Sequence, residues 1–339
     1  MKILTDPVDH GTAGNKKLLF RKIVKIVSTI VVIVAVFWVG QHLFAEASKL
    51  KDQYLNMSTA WSILACAMLY AGIQIIISWS WGVVYSGASR TRVKLLDVMM
   101  LYGQSHVAKY IPGNVAQVLQ RQLLGARMGW SQISIAVASF LEIILAVSGV
   151  LVLVLLFGLN DISRIAGLEF ATGPFIFGLA GLLLAGPWIF FAIAHRLPFL
   201  PNFLNTKDLK EFAFGSAIPV GFILLMLFFA LKAIIFWFLG HSLSIEGATG
   251  NLLQVSAAFL VAWLGGYLAL GAPGGIGVRE ALIVLLLGSV LGELNAAFLA
   301  TAFRVVNVTG DLIFFAAVMV VGFLRRRLAP QTDLESTIN

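Results

Sequence analysis

Long apolar runs alternate with short polar connections along this chain, and the runs are too long and continuous for the core helices of a water-soluble protein. A helix needs about 20 mostly apolar residues to cross the roughly 30 Å hydrocarbon layer of a bilayer. Runs of that kind predict full crossings at about 24–44, 60–86, 131–158, 172–195, 217–243 and 295–324. Two more apolar blocks, about 96–120 and 251–291, are interrupted by proline and glycine, at KYIPGN and at GAPGGIG. A helix break at membrane depth strands N–H and C=O groups, each costing several kcal/mol in lipid, unless protein or a water-filled cavity surrounds them. Each interrupted block is therefore predicted to be a helical hairpin that dips in and returns. The predicted fold is all-α: a polytopic integral membrane protein with about six full spans plus two re-entrant helical hairpins. A tail, 1–22, would precede the transmembrane domain, 23–328, and a second tail, 329–339, would follow it.

Composition agrees with that pattern, since 59% of the 339 residues are hydrophobic and 12% are charged. No polar stretch is long enough for a separate soluble catalytic domain. The net charge of +8 raises the question of nucleic acid. The basic residues cluster in short loops beside the spans, as cytoplasmic loops facing anionic lipid do, so topology accounts for the charge and no nucleic-acid partner is expected. Lys16, Lys17, Arg21, Lys22 and Lys25 place the N-terminus in the cytoplasm. Alternate crossings then bring Arg90, Arg92 and Lys94, next Arg196, Lys207 and Lys210, and finally Arg325, Arg326 and Arg327 to the same side, while the outer loops carry Lys49, Lys51 and Arg164. Both termini are expected in the cytoplasm. AEA at 45–47 has the form of a signal-peptide cleavage site, but the long polar lead and full-length apolar run favour an uncleaved anchor. Cys66, the sole cysteine, lies in an apolar run and reads as packing.

Arg121 and Arg127 belong to the cytoplasmic set, so the first broken block enters and leaves on the inner face and the second dips from the outer face. That opposition suggests an inverted repeat. Pro112 precedes Glu142 by 30 residues and Pro273 precedes Arg304 by 31, so each half carries a broken hairpin followed by a span with a lone charge. Corresponding broken segments in two halves are a pointer to a transporter's binding site.

Lys109, Arg121, Glu142, Lys232, Arg279, Glu280, Arg304 and Asp311 lie within or beside apolar segments. A charge at the centre of a spanning helix costs roughly 2.5–3.5 kcal/mol on insertion scales, so each needs a partner, water or a route to the interface. Arg121 is expected at the cytoplasmic interface, and Lys232 either reaches a headgroup or forms a structural pair. Lys109 is open between the two roles. Glu142, Arg304 and Asp311 lie deeper, where a polar interior suits them, and Glu142 with Arg304 is the expected salt bridge between the halves. Glu142 and Asp311 are also candidates for carrying coupling protons.

PGGIG permits a tight turn, and VREALIVLLLG then starts a half-helix whose first N–H groups face the break. A helix N-terminus carries about half a positive unit, and Arg279 in the first turn adds a planar fork suited to phosphate. Glu280 fits either a cap role or the site. IPGNVAQVLQRQ repeats the design, with Pro112 and Gly113 at the break, Asn114 as N-cap and Arg121 two turns on. GGIG lacks the Lys-Ser/Thr ending of a phosphate-binding loop. His10, His42, His106, His195 and His241 are scattered without metal-ligand spacing, so no metal and no cofactor are expected. Trp38, Trp61, Trp81 and Trp130 fall near predicted span ends, where an aromatic belt accounts for them.

KYIPGNVAQVLQRQLLGARMG, APGGIGVREA and TAFRVVN, in that order, resemble the flippase-like transmembrane family named after lysylphosphatidylglycerol synthetase, over about residues 20–328. The resemblance implies a domain that translocates lipids: aminoacylated phosphatidylglycerol in the bifunctional members, lipid-linked glycan intermediates in others. Those bifunctional members append a soluble aminoacyl-transferase domain, whereas this sequence ends at RRRLAPQTDLESTIN, so the synthetase activity is not carried over. The matching positions are Tyr110, Pro112, Gly113, Pro273, Gly274, Gly275, Gly277, Arg279, Glu280 and Arg304, and Asn114 stands where a basic residue is common.

The expectation is a lipid flippase, not an enzyme, in a bacterial or archaeal cytoplasmic membrane. It would move an anionic phospholipid or lipid-linked glycan, with Arg279 and Arg304 on the phosphate and Lys109 beside the Pro112 break as the inner site. Envelope-glycan or lipid-modifying enzymes are candidate partners. Three alternatives stand: a membrane-embedded lipid-phosphate enzyme, a small-solute or ion carrier, and a noncatalytic subunit of an envelope-glycan synthesis complex.

Overall fold

A computed structural model describes residues 56–110, 116–165, 178, 181, 215–245, 247–248, 251–269, 275 and 277–328. Among them the chain is helical, without strands. The predicted crossings at 24–44 and 172–195, both tails, the AEA segment and Trp38 lie outside the described residues.

Four helices are long and apolar enough to cross a membrane: Met57–Ser89, Gln132–Gly158, Ala217–Ser242 and Glu293–Arg325. They coincide with four of the predicted crossings. We label the helices in chain order: α1 (Met57–Ser89), α2 (Leu95–His106), α3 (Ala116–Arg127), α4 (Gln132–Ile165), α5 (Ala217–Ser242), α6 (Leu252–Leu268), α7 (Val278–Leu291) and α8 (Glu293–Leu328), with a 3-10 turn, Val107–Tyr110, after α2. The start of α1 is fixed by Asn56, whose side-chain oxygen accepts from the Thr59 N–H at 2.8 Å, as an N-cap does. Its end is marked by Arg90 in the left-handed region at φ 54°. Helix α4 leaves helical geometry at Gly158, φ 118°, where the predicted crossing also ends.

The two interrupted blocks become pairs of short helices, α2/α3 and α6/α7, each shorter than the neighbouring spans. Each pair packs on the span that follows it, α3 on α4 and α7 on α8, and also reaches across, α2 to α8 and α6 to α4. Helix α1 packs along α5 and α8. Small residues permit the close approaches, as is usual when apolar helices meet without water to drive them together. At Gly310 an added Cβ would lie 2.6 Å from the Tyr70 ring and 2.8 Å from the Ala67 carbonyl oxygen. The main core runs through all four spans and both short-helix pairs, and includes Cys66, fully buried as expected.

Trp81 corrects the aromatic-belt expectation. Its ring is fully buried, stacks on Tyr85 at 5.4 Å and on Trp130 at 6.4 Å, and donates its indole N–H to the Ser139 hydroxyl at 3.3 Å. Trp61, by contrast, is exposed.

Candidate functional site

Between the two pairs of short helices lies a cavity of about 550 Å³, walled by side chains from all eight helices. Its chemistry follows from three ion pairs, and none is the one expected from sequence. Glu142 pairs with Arg121, not with Arg304, and Arg304 pairs with Glu280. The reason is reach: the second short helix of each half lies along the next span, so its charge meets the span's charge within the same half. The arrangement repeats with the signs exchanged. In the first half the short helix supplies the cation and the span the carboxylate; in the second, Glu280 on α7 faces Arg304 on α8.

Arg121 also corrects its predicted interfacial place. It is 1% exposed, with its guanidinium 4.4 Å from the Tyr102 ring centroid and 5.4 Å from that of Trp81. Tyr102 donates its hydroxyl to the other oxygen of Glu142 at 2.8 Å. A buried charge is tolerable only when paired and hydrogen-bonded, and two aromatic faces plus a carboxylate supply that environment.

The pair that does join the halves is Lys109 with Asp311, at 2.7 Å. Asp311 is 2% exposed and is a hub: besides Lys109 it accepts from the Tyr110 hydroxyl at 2.6 Å and from the Gln74 amide, and His106 lies 3.6 Å away. Lys109 also donates to the His106 ring nitrogen at 2.7 Å, and His106 stacks on Tyr102. One polar chain therefore runs from Gln74 on α1 through Asp311 and Lys109 to His106, whose ring stacks on Tyr102 of the Tyr102–Glu142–Arg121 cluster.

Glu280 resolves the two roles left open for it. One carboxylate oxygen accepts from the Gly277 backbone N–H at 2.7 Å, capping α7, and the other accepts from Arg304. Gly277 enters the helix at φ 81° and Gly275 turns at φ 72°, both in the region that favours glycine. The Gly275 turn lies directly on the end of α6: a Cβ there would meet the Gly266 carbonyl oxygen at 2.8 Å. That contact packs the break against the preceding helix and sets Arg279 on the cavity wall. Pro112, Gly113, Asn114, Pro273 and Gly274 lie outside the described residues.

Lys109, Tyr110, Arg121, Glu142, Gly275, Arg279, Glu280 and Arg304 all line the cavity, so most of the predicted site residues converge. Asp311 stands behind Lys109. Lys232, open between headgroup and structural roles in the sequence, joins the wall; it is 5% exposed, its ammonium 4.9 Å from the Tyr70 ring centroid and 5.8 Å from that of Phe228. Trp263 and Tyr267, stacked at 4.9 Å, and Phe229, 4.4 Å from Trp263, add an aromatic face that sequence reading missed. A signal existed for part of this. Trp263 and Tyr267 are four residues apart, which puts them on one helical face.

The family model described as Lysylphosphatidylglycerol synthase TM region matches residues 25–314, which takes in every described helix except the end of α8. Neither the comparison with curated proteins nor that with solved structures finds a match.

Proposed function

The chain belongs to the lysylphosphatidylglycerol synthase transmembrane-region family, a multi-pass membrane family tied to lipid, and on that premise we propose that it is a lipid translocase that moves an anionic headgroup through this cavity. The single observation that carries the reading is that Lys232 and Arg279, two cations without a carboxylate partner among the described residues, share one cavity between interrupted helices. In low dielectric such charges attract an anion strongly, and the Arg279 fork at the start of α7 adds the helix's own positive end.

In this reading the α2/α3 and α6/α7 pairs are re-entrant hairpins that enter from opposite leaflets. The repeated short-helix-to-span ion pair, with signs exchanged, supports an inverted repeat. The headgroup crosses in the cavity while the acyl or prenyl chains stay in lipid; the protein performs no covalent chemistry. The membrane is the cytoplasmic one, with both termini inside, as the loop charges indicate.

Vesicles with the reconstituted protein and a fluorescent, acyl-labelled phosphatidylglycerol test the reading. A membrane-impermeant quencher reaches only the outer leaflet, so translocation increases the quenched fraction beyond half. We expect that increase with the intact protein and a loss of at least about 10-fold in its rate with Arg279→Gln, the cost of removing one charged hydrogen-bonding partner. An unchanged rate in the variant would discard the role of Arg279. Chemically altered lipid in the same vesicles would replace the translocase with an enzyme.

A further inference from the structure

We propose that the cavity selects a headgroup carrying two negative charges, a phosphomonoester or a diphosphate, over a singly charged phosphodiester and over a cationic aminoacylated one. The inference rests on the translocase reading and names its substrate class. Five cationic side chains serve the site: Lys109, Arg121, Lys232, Arg279 and Arg304. Among the described residues three carboxylates answer them, and all three are engaged, Asp311 by Lys109, Glu142 by Arg121 and Glu280 by Arg304. Among the described residues Lys232 and Arg279 remain without an opposite charge.

Each is compensated only in part by other means. Among the described residues the Lys232 ammonium donates to the Tyr70 hydroxyl at 3.5 Å and lies over the faces of two aromatic rings. Arg279 has a buried Nε without a hydrogen bond, as Arg304 has, but unlike Arg304 it has no carboxylate within ion-pair reach among the described residues; Gly266 leaves room for it, since a Cβ at that position would stand 3.5 Å from the same Nε. In the sequence, the residues between the described flanks of the two interruptions, 111–115 (IPGNV), 270–274 (LGAPG) and Ile276, contain no ionisable side chain.

An unpaired cation in a low-dielectric space is costly until compensated, and Arg279 and Lys109 nearby add to the cost for Lys232, so the Lys232 ammonium is held in full only beside an anion. A dianionic phosphate compensates both, with the planar Arg279 fork taking two oxygens and Lys232 acting as a point charge on a third. A phosphodiester has one charge and leaves one cation uncompensated. A lysyl-bearing headgroup brings further positive charge into a site that already has an excess. At about 550 Å³ the cavity holds a headgroup larger than a bare phosphate, so the charge count and not the volume sets the preference.

The experiment uses the full chain in phosphatidylcholine vesicles with acyl-labelled phosphatidic acid, phosphatidylglycerol or lysylphosphatidylglycerol, at about pH 8, above the second phosphate pKa of about 6. Half-saturation of translocation is expected at a concentration at least about 10-fold lower for phosphatidic acid than for phosphatidylglycerol, with lysylphosphatidylglycerol weakest. An unlabelled polyprenyl diphosphoryl sugar, whose diphosphate is esterified at both ends and so carries two charges, separates the two sources as competitor: inhibition stronger than that by unlabelled phosphatidic acid assigns the diphosphate, weaker inhibition the monoester. Lys232→Met should reduce the preference toward unity. The headgroup series on the unaltered protein stands whether or not that variant folds. Equal half-saturation for all three lipids overturns the charge selection and leaves the translocase in place. A lack of movement for every lipid, with correctly inserted protein, overturns both.

Discussion

Asp311 gathers more of the site than any other side chain, accepting from Lys109, Tyr110 and Gln74 while 2% exposed. Removing one member of a buried ion pair strands the other, at about 3–5 kcal/mol, whereas removing both leaves no orphaned charge. Asp311→Leu should therefore lower the unfolding midpoint in detergent markedly, and the Lys109→Met, Asp311→Leu double variant should recover most of the loss. Additive destabilisation in that double-mutant cycle would mean the two do not act as a pair. The same reasoning separates the residues that build the cavity from those that face its contents. Arg121, Arg304 and Lys109 are each held by a carboxylate, so their first effect is structural; Lys232 and Arg279 are not.

The second interrupted block depends on two glycines for different reasons. Gly277 adopts φ 81° and ψ −45° with nothing within 4 Å of an added Cβ, so Gly277→Ala bears only the backbone strain of an L-residue in that sparsely populated region, about 1–3 kcal/mol. Gly275 adopts φ 72° and also abuts the backbone of Gly266, so Gly275→Ala adds a collision to the strain and should destabilise more than Gly277→Ala. Thermal unfolding of the two variants side by side checks the order, and equal losses would contradict the α6 contact. The element-scale logic also explains Glu280. Its place three residues after Gly277 makes it the natural acceptor for the first free N–H of α7, and the carboxylate's second oxygen then has only the span beside it, where Arg304 stands.

Across the whole molecule, Asp97 in the first turn of α2 pairs with Arg325 near the end of α8, so these two ends lie at one face of the bundle. The positive-inside pattern also assigns Arg90, Arg92 and Lys94 to the side of Arg325 to Arg327. Helix α1, 33 residues long, carries its other end about 50 Å away. In a Cys66→Ser background, Thr91→Cys and Arg327→Cys should react with an impermeant maleimide from the same side of sealed vesicles, and Ser58→Cys from the opposite side. Labelling of Thr91→Cys and Ser58→Cys from one side would break the crossing assigned to α1.

The amino-acid sequence by itself determined the four described spans and the two interruptions, because a bilayer imposes a length on every crossing and forbids unpaired backbone, and both constraints are local. It also marked nearly every charge that lines the cavity, since a charge in an apolar run is conspicuous wherever it ends up. What only the tertiary structure decided was which charges meet. Glu142 chose Arg121, Arg304 chose Glu280 and Asp311 chose Lys109, because ion pairing is set by side-chain reach between packed helices and not by spacing along the chain. Trp81 was drawn from the predicted interface into the core by the same packing, where its ring faces Arg121. The cations left over, Lys232 and Arg279, are a property of that pairing, and they become identifiable only once the partners of all the others are fixed.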